Sequence, residues 1–363
     1  MSALRTLIEE MIIENGPISI ETFMNLALHH PSHGYYTGKQ PLGRGGDFTT
    51  APEISQMFGE LIGLWCVAVW QAMGAPSPCL LVELGPGRAT LMADALRATR
   101  RVPAFLPSLD LHLVETNALL RAAQAARLAA AGLAPGWHSR VETLPDGPAV
   151  IIANEFFDCL PVRQFVRGRD GWHERLVGLH AKGGLCFGLA PDCQAGLAGS
   201  GEDGDVREIS LAAVGLMQRL AARLVAQGGV LLIIDYGYEG PGRGETLQAV
   251  RGHRYADPLA EPGEADLTAH VDFAALAAAA RGAGAKVHGP VPQGIWLARL
   301  GIFERAAALR RGASAEQGAA IDAALKRLVD MGRAEGMGRL FKALAVAAPG
   351  LPIPPAFASS AHE

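Results

Sequence analysis

Glu83, Gly85, Pro86, Gly87 and Thr90 form the first chemically informative group in this sequence, within the stretch VELGPGRATL that follows the apolar run CLLVEL. A strand that runs through Gly-x-Gly into a helix lets the backbone approach a nucleotide or nucleoside closely, because neither glycine carries a Cβ. The dinucleotide fingerprint asks for a third glycine where this chain has Thr90, so the loop alone leaves both ligand types open. Glu83 separates them. A carboxylate aimed at the loop repels a pyrophosphate, whereas S-adenosylmethionine has no phosphate and carries an ammonium and a sulfonium, both attracted to an acid. The loop therefore fits the sulfonium cofactor better, with NAD as the lesser reading.

Glu115 belongs with this group. It ends the run LHLVE, where a carboxylate can accept hydrogen bonds from both hydroxyls of a ribose. It stands thirty residues past Gly85, farther than the roughly 20 of the compact NAD unit. Both acids have a plainer alternative as solvated strand ends.

The elements that must position these residues alternate along the chain. CLLVEL (79–84), LHLV (111–114), AVIIA (149–153) and GVLLIID (229–235) read as strands, with helical patterns at 89–100, 117–131 and about 207–227 between them. In the last helix Met217, Leu220, Ala221 and Leu224 share one face, opposite Arg219 and Arg223. Near-continuous apolar strands separated by helices indicate a parallel sheet covered on both faces. The fold expected is an α/β, Rossmann-like doubly wound sheet with its ligand at the carboxyl ends of the strands. Two helices at 2–14 and 19–30, the second capped by Ser19, precede it, and a further helix is expected at 53–73. Residues 162–190 read as β-hairpins turning at Gly168–Gly171 and Lys182–Gly184, residues 294–337 as helical, and 340–347 as a last strand. The expected division is an N-terminal helical extension and lid over 1–76, an α/β domain over 77–350 with insertions at about 162–206 and 294–337, and a tail at 351–363.

Composition bounds the functions available. The chain has 363 residues, 49% of them hydrophobic, enough for a substantial core, and a formal net charge of −4. That charge argues against a nucleic-acid partner. Five cysteines without CxxC spacing argue against disulfides and a structural zinc site. His29, His30 and His33 straddle a helix end and a proline turn, with no acid or cysteine nearby, and are assigned structural or capping roles; no metal is expected. No apolar run approaches the roughly 20 residues that span a bilayer. The N-terminus has three glutamates and one arginine, unlike a leader peptide. A bacterial cytoplasmic protein without membrane insertion is expected. Its oligomeric state is left open.

With these elements in place, the chain resembles the MidA/NDUFAF7 family of class I methyltransferases. The resemblance rests on GDFTTAPEISQMFGELIG (46–63), LVELGPGRATLM (81–92), NEFFDCLPVRQF (154–165), LLIIDYG (231–237), DLTAHVDF (266–273) and GMGRLFKAL (336–344). These blocks follow in order over nearly the whole chain. Ala89 departs from the glycine expected in the family loop, a change expected to tighten packing at the helix start. The resemblance implies a class I fold with N-terminal and inserted elements, S-adenosyl-L-methionine as methyl donor, and arginine methylation of a respiratory complex I subunit. A methyltransferase of another protein or of a small molecule remains an alternative. A non-catalytic assembly chaperone is another.

Methyl transfer to a guanidinium nitrogen requires carboxylates that grip the remaining N–H groups. The end of AVIIANEFFDCLP supplies Asn154 beside the cofactor and Glu155 and Asp158 as candidates for orienting and deprotonating the guanidinium. The segment GRGGDFTTAPEIS adds Asp47, Thr49, Thr50 and Glu53. It is either a lid over the cofactor or an ordinary helix start capped by Thr50 or Ser55. Tyr236, in Asp235-Tyr236-Gly237 at the end of the run GVLLIID, either lines the substrate channel or simply packs.

Overall fold

The computed structural model describes residues 2–38, 49–129, 132, 134–197, 201–240, 242, 244–332 and 336–358. The chain divides into two compact units. One comprises Thr49–Phe157, Leu216–Glu239 and Phe273–Glu363; the other comprises Met1–Phe48, Asp158–Gly215 and Gly240–Asp272.

The larger unit is built on a sheet of strands β1 (Cys79–Leu84), β2 (Leu109–Val114), β3 (Gly136–His138), β4 (Ala149–Asn154), β5 (Gly229–Tyr238), β6 (Lys286–Pro292) and β7 (Phe341–Ala347). Their order is β3-β2-β1-β4-β5-β7-β6. The first five are mutually parallel, and β7 runs antiparallel to both of its neighbours. This is the expected doubly wound, class I arrangement. The strands are apolar throughout because both faces are covered. Leu81, Val150, Ile152 and Leu232 pack into one core with Phe58, Leu61, Trp65 and Leu96, while the alternate residues Leu80, Val82, Ile151 and Leu231 are equally buried. Strand order reverses between β1 and β4, which opens the ligand crevice at their carboxyl ends.

Three helices deliver the loops of that crevice: α1 (Ala51–Ile54), α2 (Gln56–Ala72) and α3 (Thr90–Thr99). The helix expected over 53–73 is thus two helices, broken at Ser55, whose backbone is extended and whose hydroxyl accepts the Met57 N–H at 3.2 Å. Its buried Phe58, Leu61 and Trp65 complete the core of the sheet. For that reason residues 49–76 group with the sheet rather than with an extension ending at 76.

Gly59 and Gly63 on α2 set how closely α3 approaches. A Cβ on Gly63 would lie 2.5 Å from the carbonyl oxygen of Ala95, and one on Gly59 2.9 Å from that of Leu91. Beside this contact Glu60, 4% exposed, accepts Arg97 Nη1 at 2.9 Å and Arg305 Nε at 2.7 Å, so the buried acid is fully compensated.

In the smaller unit, Ser2 and Ser19 cap helices Ala3–Asn15 and Ile20–His29, accepting the N–H groups of Arg5 and Thr22. An antiparallel sheet orders Ile18–Ser19, Trp172–Leu179, Arg163–Arg167 and Val206–Ile209, with Leu185–Cys193 paired to Trp172–Leu179. Both expected hairpin turns are present, closed by Gly168 N–H to Gly171 O at 2.7 Å and His180 N–H to Gly184 O at 2.8 Å. The N-terminal helices and this hairpin segment share one unit, which the sequence divided between two. A further antiparallel sheet of Gln248–Arg251, Arg254–Ala256 and Asp266–Thr268 has no counterpart in the sequence reading, because its strands are too short and polar to show alternation.

Gly63→Leu should destabilise the protein by about 3 kcal/mol or more, because the side chain must force apart two helix backbones rather than displace flexible neighbours. Chemical denaturation measures this directly. An unfolding midpoint unchanged from wild type would refute the close approach of α2 and α3.

Candidate active site

The loop leaving β1 alternates into left-handed backbone at Gly85 (φ +60°), Gly87 (φ +53°) and Ala89 (φ +56°) before α3 begins at Thr90. Pro86 is buried between the glycines, and its carbonyl accepts the Ala89 N–H at 2.7 Å. A Cβ at Gly85 would strike the Phe156 ring at 2.8 Å. The glycine expected in place of Ala89 now has a backbone reason. An L-residue in this region costs about 1–2 kcal/mol, so the alanine brings strain rather than the tighter packing expected of it.

The segment before α2 is bound to this loop. Glu53 on α1 accepts the Thr90 hydroxyl at 2.5 Å through Oε1, and its Oε2 lies 3.8 Å from Arg88 Nη1. Glu155 accepts the Ala51 N–H at 2.9 Å and Asn154 Nδ2 at 3.3 Å, both through Oε1. Helix α1 is therefore held to the glycine loop at one point and to the end of β4 at another. Glu53, Thr90 and Glu155 supply the side chains of these bonds. Thr50 starts α1 without a side-chain capping bond, Thr49 precedes it half-buried, and Asp47 lies outside the described residues.

Glu115 follows β2 and is 9% exposed. Its Oε1 accepts the Asn117 N–H at 2.8 Å and its Oε2 accepts Gln124 Nε2 at 3.2 Å. Burial raises its pKa. Gln124, itself 0% exposed, also donates to the carbonyl of Gly87 at 2.8 Å and accepts the Trp137 indole N–H at 2.9 Å. One amide thus joins the glycine loop to the expected ribose acid. The sequence did carry a signal for Gln124. It occupies the position between Leu120 and Leu128 on the buried face of helix Ala118–Leu128, where the periodicity calls for an apolar residue.

Asp235 is a second organising residue missed in the sequence. It is 0% exposed, and its Oδ2 accepts the N–H groups of Phe156 and Phe157 at 3.1 and 2.9 Å while Oδ1 accepts that of Tyr236 at 2.9 Å. It fixes the segment after β4, where Glu155 adopts φ +48°. Tyr236 packs on Phe341 with ring centroids 5.2 Å apart. Asp158 groups with the smaller unit. It is buried there, and its carbonyl accepts the Ala269 N–H at 2.9 Å. In the same unit Tyr36 donates to Asp266 at 2.7 Å. Burial, then the charges of Asp266, Cys159 and Asp158, holds the Tyr36 phenol well above its ordinary pKa. The histidines near residue 30 act locally: His30 Nδ1 accepts the N–H groups of Ser32 and His33, and His29 stacks on Tyr36.

Among the described residues, two buried oxygens at the strand ends have no hydrogen-bond partner. Glu83 is 3% exposed with Oε2 unpaired, and Asn154 at the end of β4 has Oδ1 unpaired. Burial pushes the Glu83 carboxyl up to about 8. Unpaired buried acceptors are costly, so a ligand bringing N–H donors and positive charge to this crevice relieves both. An aminoacyl sulfonium nucleoside fits that requirement.

A family model described as "Putative S-adenosyl-L-methionine-dependent methyltransferase" matches residues 61–291. The chain belongs to this family. It is 38% identical to the protein arginine methyltransferase NDUFAF7 of Danio rerio, over 81% of this chain and 75% of that one. It is 36% identical to the NDUFAF7 homolog of Drosophila melanogaster, over 92% and 82% of the two chains. A COG1565 superfamily member from Burkholderia thailandensis, solved with S-adenosyl-homocysteine, superposes with a TM-score of 0.87 at 30% identity, covering 99% of this chain and 95% of that one. The protein is an S-adenosylmethionine-dependent methyltransferase with a class I fold. Among the described residues no helix is long and apolar enough to cross a membrane.

Glu115→Ala should weaken S-adenosylmethionine binding by about ten- to a hundredfold, the range of a lost charge-assisted hydrogen bond. Gln124→Leu, which removes the amide that joins the loop to Glu115, should weaken it by about tenfold. Titration calorimetry reads both. Affinities within twofold of wild type would remove this network from cofactor binding.

Proposed function

We propose that the protein is a protein arginine N-methyltransferase acting on a subunit of respiratory complex I or its bacterial equivalent. The observation that carries this reading is the 36–38% identity, over more than 80% of the chain, to proteins bearing the arginine methyltransferase name. The chemistry of the crevice supports it, since the residues gathered around its rim are rich in carboxylates suited to a cationic substrate.

When bound, S-adenosylmethionine supplies a methyl group on a positively charged sulfur, open to in-line displacement. The residues of the chain bind, orient and exclude water. Glu83 and Asn154 meet the positive amino-acid end, Glu115 meets the ribose, and the Gly85–Gly87 backbone allows close approach. Glu155 already spends Oε1 on Ala51 and Asn154, so we assign it to positioning α1 and the rim, with a direct hold on the guanidinium as its second task. Asp158, which follows the Asp235-anchored Phe157, is assigned as the acceptor of the proton that the guanidinium nitrogen sheds once its new N–C bond has formed.

Mass spectrometry of complex I subunits from cells with and without the gene should show an arginine methylation that depends on it. With that subunit in vitro, Asp158→Asn should keep near-normal cofactor affinity while single-turnover methyl transfer falls about tenfold or more, the range of a lost positioned base. Gene-dependent methylation of a different residue type would overturn the arginine assignment. Full activity of the variant would remove Asp158 from the reaction.

A further inference from the structure

We propose that Asp170, His173 and Cys193 form a zinc-class metal site that staples the end of the long β-hairpin in the smaller unit. The three donor atoms, a carboxylate oxygen, an imidazole nitrogen and a thiol sulfur, lie within 4.8 Å of one another. His173 Nε2 is 2.9 Å from Asp170 Oδ1 and 3.5 Å from Cys193 Sγ.

The separations suit a tetrahedral ion. With bonds of about 2.3 Å to sulfur and about 2.0–2.1 Å to nitrogen, a tetrahedral angle sets S···N at roughly 3.5 Å, and the corresponding N···O at roughly 3.4 Å. The Cys193–His173 pair already has that spacing. Asp170 must retreat by about half an ångström to reach it, and its side chain, 70% exposed, is free to do so.

The orientation of the imidazole is the second observation. His173 Nδ1 lies 2.9 Å from the carbonyl oxygen of Ala190. A carbonyl only accepts, so Nδ1 carries the hydrogen, and Nε2 is the atom turned to the other two donors. A backbone carbonyl behind the ring is how metal-bound histidines are commonly held in the correct tautomer. Asp170, then the Ala190 carbonyl, raises the His173 pKa, while burial and then Asp170 raise that of the Cys193 thiol.

The backbone brings these donors together by register. His173 and Cys193 are direct partners across the antiparallel pair, where the ladder shifts between His173 and Arg175. The turn before His173 supplies Asp170, and Gly171 leaves room for sulfur, since a Cβ there would meet Cys193 Sγ at 2.7 Å. No CxxC spacing announces such a site, which is why the cysteine count argued against zinc. Donors Asp-x-x-His and a cysteine on the returning strand meet only after the hairpin forms. Three protein ligands leave a fourth position for water or an added group. A divalent ion takes the imidazole through a neutral Nε2 and the cysteine as thiolate, so binding releases the thiol proton to solvent.

The test uses the full chain, free of any histidine tag, titrated with Zn2+ by calorimetry and with Co2+ by absorption. One ion per chain should bind, and Co2+ should give intense tetrahedral bands with a thiolate charge-transfer band. Cys193→Ser and His173→Gln should each weaken Zn2+ binding a hundredfold or more and abolish the charge-transfer band, and Asp170→Asn should weaken binding about tenfold. S-adenosylmethionine affinity should be unchanged in all three variants, which also verifies their folding. Absence of one-to-one binding overturns the proposal, as does binding that Cys193→Ser and His173→Gln leave intact. The exposed Asp170→Asn change serves as the test should either of the others fail to fold: unchanged Zn2+ affinity in that variant also overturns it.

Discussion

A carboxyl group buried at the end of β1, with one oxygen unpaired among the described residues, is the constraint around which this site is organised. Glu83 is 3% exposed, and burial alone lifts its pKa to about 8 from 4.5. Its sign follows directly. An acid whose pKa is higher folded than unfolded binds its proton more tightly in the folded state. The stability associated with that proton is present at low pH and is lost as pH rises between about 4.5 and 8. A cation placed against Glu83 reverses the balance by favouring the carboxylate. A cationic ligand bound against Glu83 would thus offset the cost of burying its charge, which is a reason for a sulfonium cofactor to be favoured over a dinucleotide.

The rest of the larger unit holds the surroundings of that acid still. Contact at Gly59 and Gly63 seats α3 against α2, and the glycine loop is the entry to α3. Gln124 links the loop to Glu115, Glu53 links it to α1, and Asp235 clamps the segment after β4 through two backbone N–H groups. Gln124 and Asp235 are fully buried and Glu53 half-buried, and the partners of each belong to a different part of the site. Such networks hold one arrangement firmly when every member is satisfied. The two acceptors left over, on Glu83 and Asn154, stand at the strand ends where the cofactor is expected.

Much of this was legible in the sequence, for a physical reason. Strands buried on both faces are apolar along their length, so β1, β2, β4 and β5 appear as runs, and the acids and glycines stand out at their ends. The strand Lys286–Pro292 was missed because its glycine and two prolines read as loop, and the ordering of α1 was hidden because a Glu155 bond to the Ala51 N–H joins residues 104 apart. Gln124 and Asp235 look ordinary along the chain, since what marks them is the backbone groups they satisfy. Asp158 follows Glu155 by three residues, and the division into units falls between them. Adjacency in sequence shows which strand end a residue follows; it does not show what its side chain touches.

The most direct test of the account is the proton balance of cofactor binding. Titration of S-adenosylmethionine at pH 7, in buffers of different ionisation enthalpy, gives the number of protons released on binding. With Glu83 largely protonated in the free protein and ionised against the bound cation, the wild type should release about one proton more than Glu83→Gln. Equal proton release by the two proteins would show that Glu83 does not receive the charge of the cofactor, and would contradict the central claim.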